Sequence, residues 1–244
     1  MQLIVLGSSA SYALPGEATS GYLIKSKEHS IIIDMGTGSF SNLFRWQDPA
    51  DIEALVLSHL HVDHFADIYP LRLFLNFDRP EKILEVYAPE KAGEKLSCML
   101  SPKGGKIFQR VFDFKEIYEG TQEIGPFKLT FVNMVHDIDS FAIKIEAEGK
   151  SLVYSSDTTY NEKLVRLAKN ADLLLAEATL DVKMEGVDHM TASETGKLAR
   201  EANAKMLVLT HIWPTFKDKH ALERAAENYD GDIECAGVNK VFEI

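Results

Sequence analysis

"LSHLHVDH", residues 57–64, closes the strand-like run EALVLS (53–58) and places His59, His61, Asp63 and His64 within six positions of a chain that has eight histidines in all. The change from apolar to polar is abrupt. The run therefore reads as a buried strand and the histidines as the turn beyond its carboxyl end, where the sites of α/β proteins collect. If that turn begins extended, alternation puts His59 and His61 on one face, while Asp63 and His64 start the next segment and can address a second centre. Imidazoles and carboxylates without a thiolate suit zinc, manganese or iron, and do not by themselves choose among the three. One loop cannot fill a coordination sphere, so partners are expected at other strand ends. His136 follows FKLTFVNMV (127–135), Asp157 follows SLVYSS (151–156) and His211 follows KMLVLT (205–210), each a ligand-type side chain after an apolar run.

The rest of the chain supports an α/β protein with two sheets or one large mixed sheet. Further strands are read at LIVLG (3–7), GYLIKS (21–26), SIIIDMG (30–36) and LLLAEA (173–178), and helices at 89–100, 161–170, 191–203 and 218–228. Thr191 with Glu194 three positions on can form a capping box at the start of the third helix. The stretch IYPLRLFLNF (68–77) suits the core or a subunit interface, with the core preferred. No repeat or linker-like tract divides the chain, and 244 residues at 45% hydrophobic content are read as one domain, 1–244. With 26 basic and 37 acidic residues the formal charge is −11, which disfavours long nucleic acids as partners. Two isolated cysteines, Cys98 and Cys235, make no disulfide framework, and MQLIVLGSSAS has no basic segment before its apolar run, so a cytoplasmic protein is expected. No apolar run reaches the roughly 18 residues of a membrane span.

Taken together, "LGSSAS" (6–11), "IIIDMGTG" (31–38), "HLHVDH" (59–64), the "VHD" of His136, the "SSDT" of Asp157, "LLLAEATL" (173–180), "DHMTASETGKLA" (188–199) and "LTHIWP" (209–214) resemble the metallo-β-lactamase-fold hydrolases, in the branch of ribonuclease Z and small phosphodiesterases. The resemblance spans nearly the whole chain and implies a four-layer αβ/βα sandwich. It implies two divalent ions, with zinc expected and manganese or iron as alternatives. His59, His61 and His136 would serve one, Asp63, His64 and His211 the other, and Asp157 would bridge them. The same resemblance makes Asp63, His189 and Glu177 catalytic: a hydroxide shared by the metals attacks phosphorus, His189 contacts the phosphate or protonates the leaving oxygen, and Glu177 orients His189. Ala176 stands where the family's short "HEAT" motif has histidine. Asp34 would orient ligand histidines through their outer ring nitrogens or cap the turn at Gly36. His29, in KSKEHS, and His220, on a charged helix, are read as solvated.

The substrate is read from what is missing. The tRNA-processing relatives carry an arm between the equivalents of His136 and Asp157, which here lie 21 positions apart and enclose only a hairpin. The loop SSASYALPGEATS (8–20) also lacks those enzymes' basic and asparagine-bearing RNA contacts. A tRNA substrate is thus not expected. A small phosphodiester is, such as a cyclic nucleotide, a short oligonucleotide or an artificial aryl diester. A Z-like ribonuclease, a hydrolase of another ester, thioester or lactam, and a nucleic-acid-binding module without turnover are the alternatives; the family's habit suggests a homodimer.

Overall fold

The computed structural model describes residues 1–216 and 218–244. Strands β1 (Gln2–Gly7), β2 (Gly21–Ser26), β3 (His29–Met35), β4 (Ala54–Val56), β5 (Leu84–Ala88) and β6 (Phe112–Glu116) form one sheet. Strands β7 (Gly120–Ile124), β8 (Phe127–Asn133), β9 (Phe141–Ala147), β10 (Lys150–Tyr154), β11 (Leu173–Glu177), β12 (Met206–Thr210) and β13 (Asp232–Cys235) form the second, and β14 (Val241–Glu243) returns to the first, beside β1. Each sheet is built the same way. An antiparallel part (β14, β1, β2, β3, and β7, β8, β9, β10) continues into a parallel part (β3 to β6, and β10 to β13).

Alternation along the strands explains the layers. In β1, Leu3 and Val5 face the second sheet and pack with Phe131, Ile143 and Leu175, whereas Ile4 and Leu6 face outward. A strand buried on both faces must be apolar throughout, which is why LIVLG shows no polar alternation. The outward face of the first sheet is covered by α1 (Ser39–Leu43), α2 (Val62–Phe65), α3 (Ile68–Asp78), α4 (Ala92–Ser97) and α5 (Pro102–Val111). That of the second carries α6 (Glu162–Leu167), α7 (Ala192–Ala202) and α8 (Asp218–Ala226). The result is the expected αβ/βα sandwich. Helix α7 opens on the expected capping box: the Glu194 amide donates to Thr191 Oγ1 (3.1 Å) and the Thr191 amide to Glu194 Oε2 (2.8 Å).

Differences lie mainly between 65 and 133 and at the C-terminus. Strands β5, β6, β7, β13 and β14 were not anticipated, because they are three to five residues long and several mix charge with apolar residues, as in FDFKE and GTQEI. Such strands owe their place to pairing rather than to local pattern. The helix read over 89–100 spans only Ala92–Ser97, preceded by Lys91 in the left-handed conformation. The stretch 68–77 is divided by α3: Ile68, Leu71 and Leu75 enter the core, while Leu73 and Phe77 face outward. The segment between His136 and Asp157 is the expected hairpin, β9 and β10, turned at Glu148 and Gly149, both with positive φ as a tight two-residue turn demands. Among the described residues no helix is long and apolar enough to cross a membrane.

Candidate metal centre

The carboxyl ends of β4, β8, β10, β11 and β12 lie along one edge of the sandwich, and the segments leaving them carry His59, His61, Asp63, His64, His136, Asp157, His189 and His211. The chain turns out of β4 with His59 buried and enters α2 through His61, which is extended (φ −82°, ψ 146°), so that His59 and His61 share a face. Helix α2 then directs Asp63 and His64 to the other side. Gly36 makes the close approach possible: a Cβ there would lie 1.9 Å from the Asp63 carbonyl oxygen and 2.2 Å from Thr19 Oγ1. Three non-glycine residues beneath the cluster, Asp34, Ser156 and His211, hold φ of 57°, 53° and 48°. Such strain persists only where surrounding contacts over-determine it, and it gathers at functional sites.

Two groups result. Ligand-type atoms of His59, His61, His136 and Asp157 all lie within 4.8 Å of one another, and so do those of Asp63, His64 and His211. Asp157 stands between the groups, its Oδ2 lying 3.5 Å from His59 Nε2 and 3.4 Å from both His64 Nε2 and His211 Nε2. Its Oδ1 is buried and has no hydrogen-bond partner. An unpaired buried carboxylate oxygen is costly unless a cation answers it.

The outer contacts settle which ring nitrogens face inward. His64 Nδ1–H donates to Asp34 Oδ2 (2.7 Å) and His136 Nδ1–H to the Asp188 carbonyl (3.2 Å), both acceptor-only partners. Ser58 spends its hydroxyl proton on Asp34 (2.8 Å), so its oxygen accepts from His59 Nδ1–H (3.1 Å). Thr179 likewise donates to Glu177 (2.6 Å) and accepts from His211 Nδ1–H (2.9 Å). His61 is reversed, its Nε2 lying 3.4 Å from Asp137 Oδ1. The remaining nitrogens face inward, toward one another: His59 Nε2 lies 3.2 Å from His61 Nδ1, His61 Nδ1 3.1 Å from His136 Nε2, and His64 Nε2 3.3 Å from His211 Nε2. Each such contact needs a proton between the two nitrogens or sets lone pairs against each other, and a divalent cation at each centre would satisfy all of them, so the residues fit such ions.

The charges agree. Burial, with the nearby charge of His64, pushes His59 down to about 4 and keeps it neutral, the form a ligand must take. Burial raises Asp157 and Asp63, but the surrounding imidazoles outweigh it and hold both carboxyls well below the ordinary range. His64, between Asp157 and Asp34, is held well above its ordinary value despite burial. This is a buried demand for positive charge that a bound cation would take over from a proton.

His189 closes the cluster from the side of α7. Its ring centre is 5.3 Å from that of His136 and 5.4 Å from that of His211, and it can join Asp157 and His211 in a third ligand-type group. Glu177, fully buried at the end of β11, accepts from His189 Nδ1 (3.1 Å), the Thr158 amide (2.6 Å), Thr179 Oγ1 (2.6 Å) and the Met190 amide (3.2 Å). Burial lowers the His189 imidazole, but the bond to Glu177 and its charge prevail and raise it to about 9.

The β-lactamase superfamily domain profile matches residues 29–212. The chain belongs to the β-lactamase superfamily. The Bacillus subtilis protein named "Probable metallo-hydrolase YhfI" is 31% identical over 254 residues, covering 100% of each chain. The crystal structure of YhfI, a metallo-β-lactamase-fold protein, has a TM-score of 0.90 at 28% identity and 99% coverage of each chain. The short form of human tRNase Z follows with a TM-score of 0.80 at 20% identity, covering 100% of this chain and 99% of that one. A diphosphatase of the PhnP family has a TM-score of 0.79 at 18% identity, covering 100% and 97%. At such identities the last two share the fold. The chain is thus a metallo-hydrolase of this superfamily, and its His/Asp clusters are where divalent ions would sit.

Several contributors were not visible beforehand. Ser58, Thr179, Asp137 and the Asp188 carbonyl meet the ligand-type histidines from outside, and none is itself a ligand type in a legible pattern except Asp137, adjacent to His136. Asp34 bonds the Ser58 amide, the Ser58 and Tyr154 hydroxyls and His64 rather than the Gly36 turn, which decides between its two readings. The two remaining histidines are exposed, as expected, though each has a neighbour. His29 pairs with Glu53, and His220 packs on Phe216 at 5.4 Å between ring centres, at the edge of a cavity beside His189.

Proposed function

We propose that this metallo-hydrolase is a phosphodiesterase holding two metal ions and acting on small phosphodiesters, cyclic nucleotides or short oligonucleotides. The observation that carries the reading is Asp157, lying between two histidine groups with one buried oxygen unpartnered, next to a His189 that Glu177 keeps protonated. His59, His61 and His136 would hold one ion, Asp63, His64 and His211 the other, with Asp157 shared; the nitrogen and oxygen donors suit zinc first, then manganese or iron. When bound, the two ions activate water and neutralise charge on the phosphoryl oxygens. The chain's own residues do the rest. Glu177 occupies Nδ1 of His189 and leaves Nε2 to the substrate, where the imidazolium protonates the departing alkoxide. Thr179 connects the same carboxylate to His211, so the acid and a ligand-type histidine are set by one buried group.

A small substrate is favoured by the short β9–β10 hairpin, which leaves no arm for a folded RNA, and by the charge of −11. The test combines metal analysis of the purified protein with a panel of cyclic nucleotides, dinucleotides, RNA, a thioester and a lactam. Metal-dependent diester hydrolysis, lost in Asp157→Ala that retains the wild-type circular dichroism, is expected. Hydrolysis by that variant at the wild-type rate, or activity confined to the thioester or lactam, refutes the reading.

A further inference from the structure

Beside His189 a cavity of about 820 Å³ opens between the 180–188 loop and the segment after β12. That volume is in the range of small-ligand sites, roughly 300–1,000 Å³. It is continuous with the cluster, because Thr179 and His189 belong to its wall. The other walls are mostly apolar, Leu180, Val182, Met184, Val187, Trp213 and Phe216 together with Thr215 and His220, and among the described residues no lysine or arginine lines it. Val182, Met184 and Trp213 are 64%, 53% and 38% exposed. Walls this apolar suit one flat, uncharged group better than a run of phosphates. Tyr12 stands edge-to-face against Trp213 with centres 5.8 Å apart, which fixes the indole as a stacking surface. At the far side Asp181, also of the wall, is steadied by Arg224 Nε, which donates to its Oδ1 at 3.2 Å. A carboxylate held in that way accepts from N–H groups on the edge of a heterocycle.

Resting on the phosphodiesterase reading, we propose that this cavity is a nucleobase site: it takes the base of the nucleoside whose oxygen His189 protonates, with Trp213 as stacking platform and Asp181 as acceptor for the base's N–H edge. The substrate class is narrowed accordingly. A single-nucleoside diester such as a cyclic nucleotide fits, and an oligonucleotide, whose further phosphates would meet a mostly apolar wall, does not.

The experiment pairs a binding and a kinetic reading on the full chain. Adenosine and guanosine are titrated against tryptophan fluorescence, with ribose 5-phosphate as the control; Trp46 and Trp213 are the two tryptophans. Saturable quenching by at least one nucleoside is expected, absent in Trp213→Ala and weakened about tenfold or more in Met184→Glu, which alters an exposed wall without disturbing the core. The kcat/KM ratio of adenosine 3′,5′-cyclic phosphate to the abasic ribose 3′,5′-cyclic phosphate should fall about tenfold or more in both variants, within the span measured for losing one base–aromatic stack. No saturable nucleoside binding, or a ratio unchanged within about twofold, overturns the proposal. So does a change of Trp213→Ala from dimer to monomer without a nucleoside effect, which makes the surface an interface. Nucleoside binding by a protein that cleaves no diester supports the cavity's role and overturns the phosphodiesterase reading instead.

Discussion

Asp34→Asn isolates the contribution of one buried charge to the site. The wild-type carboxylate receives four donors: the Ser58 amide at 2.7 Å, the Ser58 hydroxyl at 2.8 Å, His64 Nδ1–H at 2.7 Å and the Tyr154 hydroxyl at 2.9 Å. Asparagine keeps the volume and tolerates the positive φ of 57° better than most residues, so backbone strain is not the perturbation. The amide has only one acceptor oxygen. Turned toward His64, Tyr154 and the Ser58 hydroxyl, it sets its NH₂ against the Ser58 amide, and turned the other way it faces three donors. At least one fully buried donor is thus left unpaired, at about 1–3 kcal/mol, and the bonds that survive lose their charge assistance, roughly 1 kcal/mol in all. A loss of about 2–4 kcal/mol in stability is expected. The imidazole of His64 also loses its anchor, for which the usual effect is 10–100-fold in metal affinity. Denaturant unfolding of the metal-free protein reads the first quantity, and competition with a chromophoric chelator reads the second. Metal affinity within about twofold of wild type, with stability reduced, would mean that Asp34 serves the fold alone. Tyr154→Phe removes one donor and leaves the charge, so its effect on metal affinity should be well below that of Asp34→Asn.

Three other outcomes are expected. His189→Ala should reduce kcat for diester cleavage by about 10²–10⁴-fold, the range for loss of a positioned acid, while a substrate with a good aryl leaving group is affected less. The acid works when protonated, so activity falls as pH rises through the raised value of about 9; Glu177→Gln removes the charge that raises it and moves that limb of the kcat profile toward lower pH. A limb that stays in place would separate Glu177 from the acid. Gly36→Ala inserts a Cβ where the Asp63 carbonyl lies at 1.9 Å, so α2 must shift; a loss of about 3 kcal/mol or more and loss of the Asp63, His64 and His211 centre are expected in metal titration, and an intact centre refutes the account of how α2 is positioned.

The sequence by itself determined the fold class and which residues converge. Each of His59, His136, Asp157 and His211 follows an apolar run, and the carboxyl ends of strands are where the sites of α/β proteins collect, so the candidate cluster was legible in the sequence as a list of strand ends. The short strands β5, β6, β7, β13 and β14 were not, because their residues carry little preference and take their form from neighbours. Tertiary structure alone decided the rest. Which nitrogen of each imidazole faces inward depends on Ser58, Thr179, Asp137 and the Asp188 carbonyl, of which Thr179 and Asp188 lie 32 and 52 residues from the histidines they meet. The choice of Asp34 for His64 over the Gly36 turn is a matter of 2.7 Å. The cavity beside His189 joins two loops about thirty residues apart, and hydrophobic residues in a loop say nothing of what they will enclose until a second loop is laid against them.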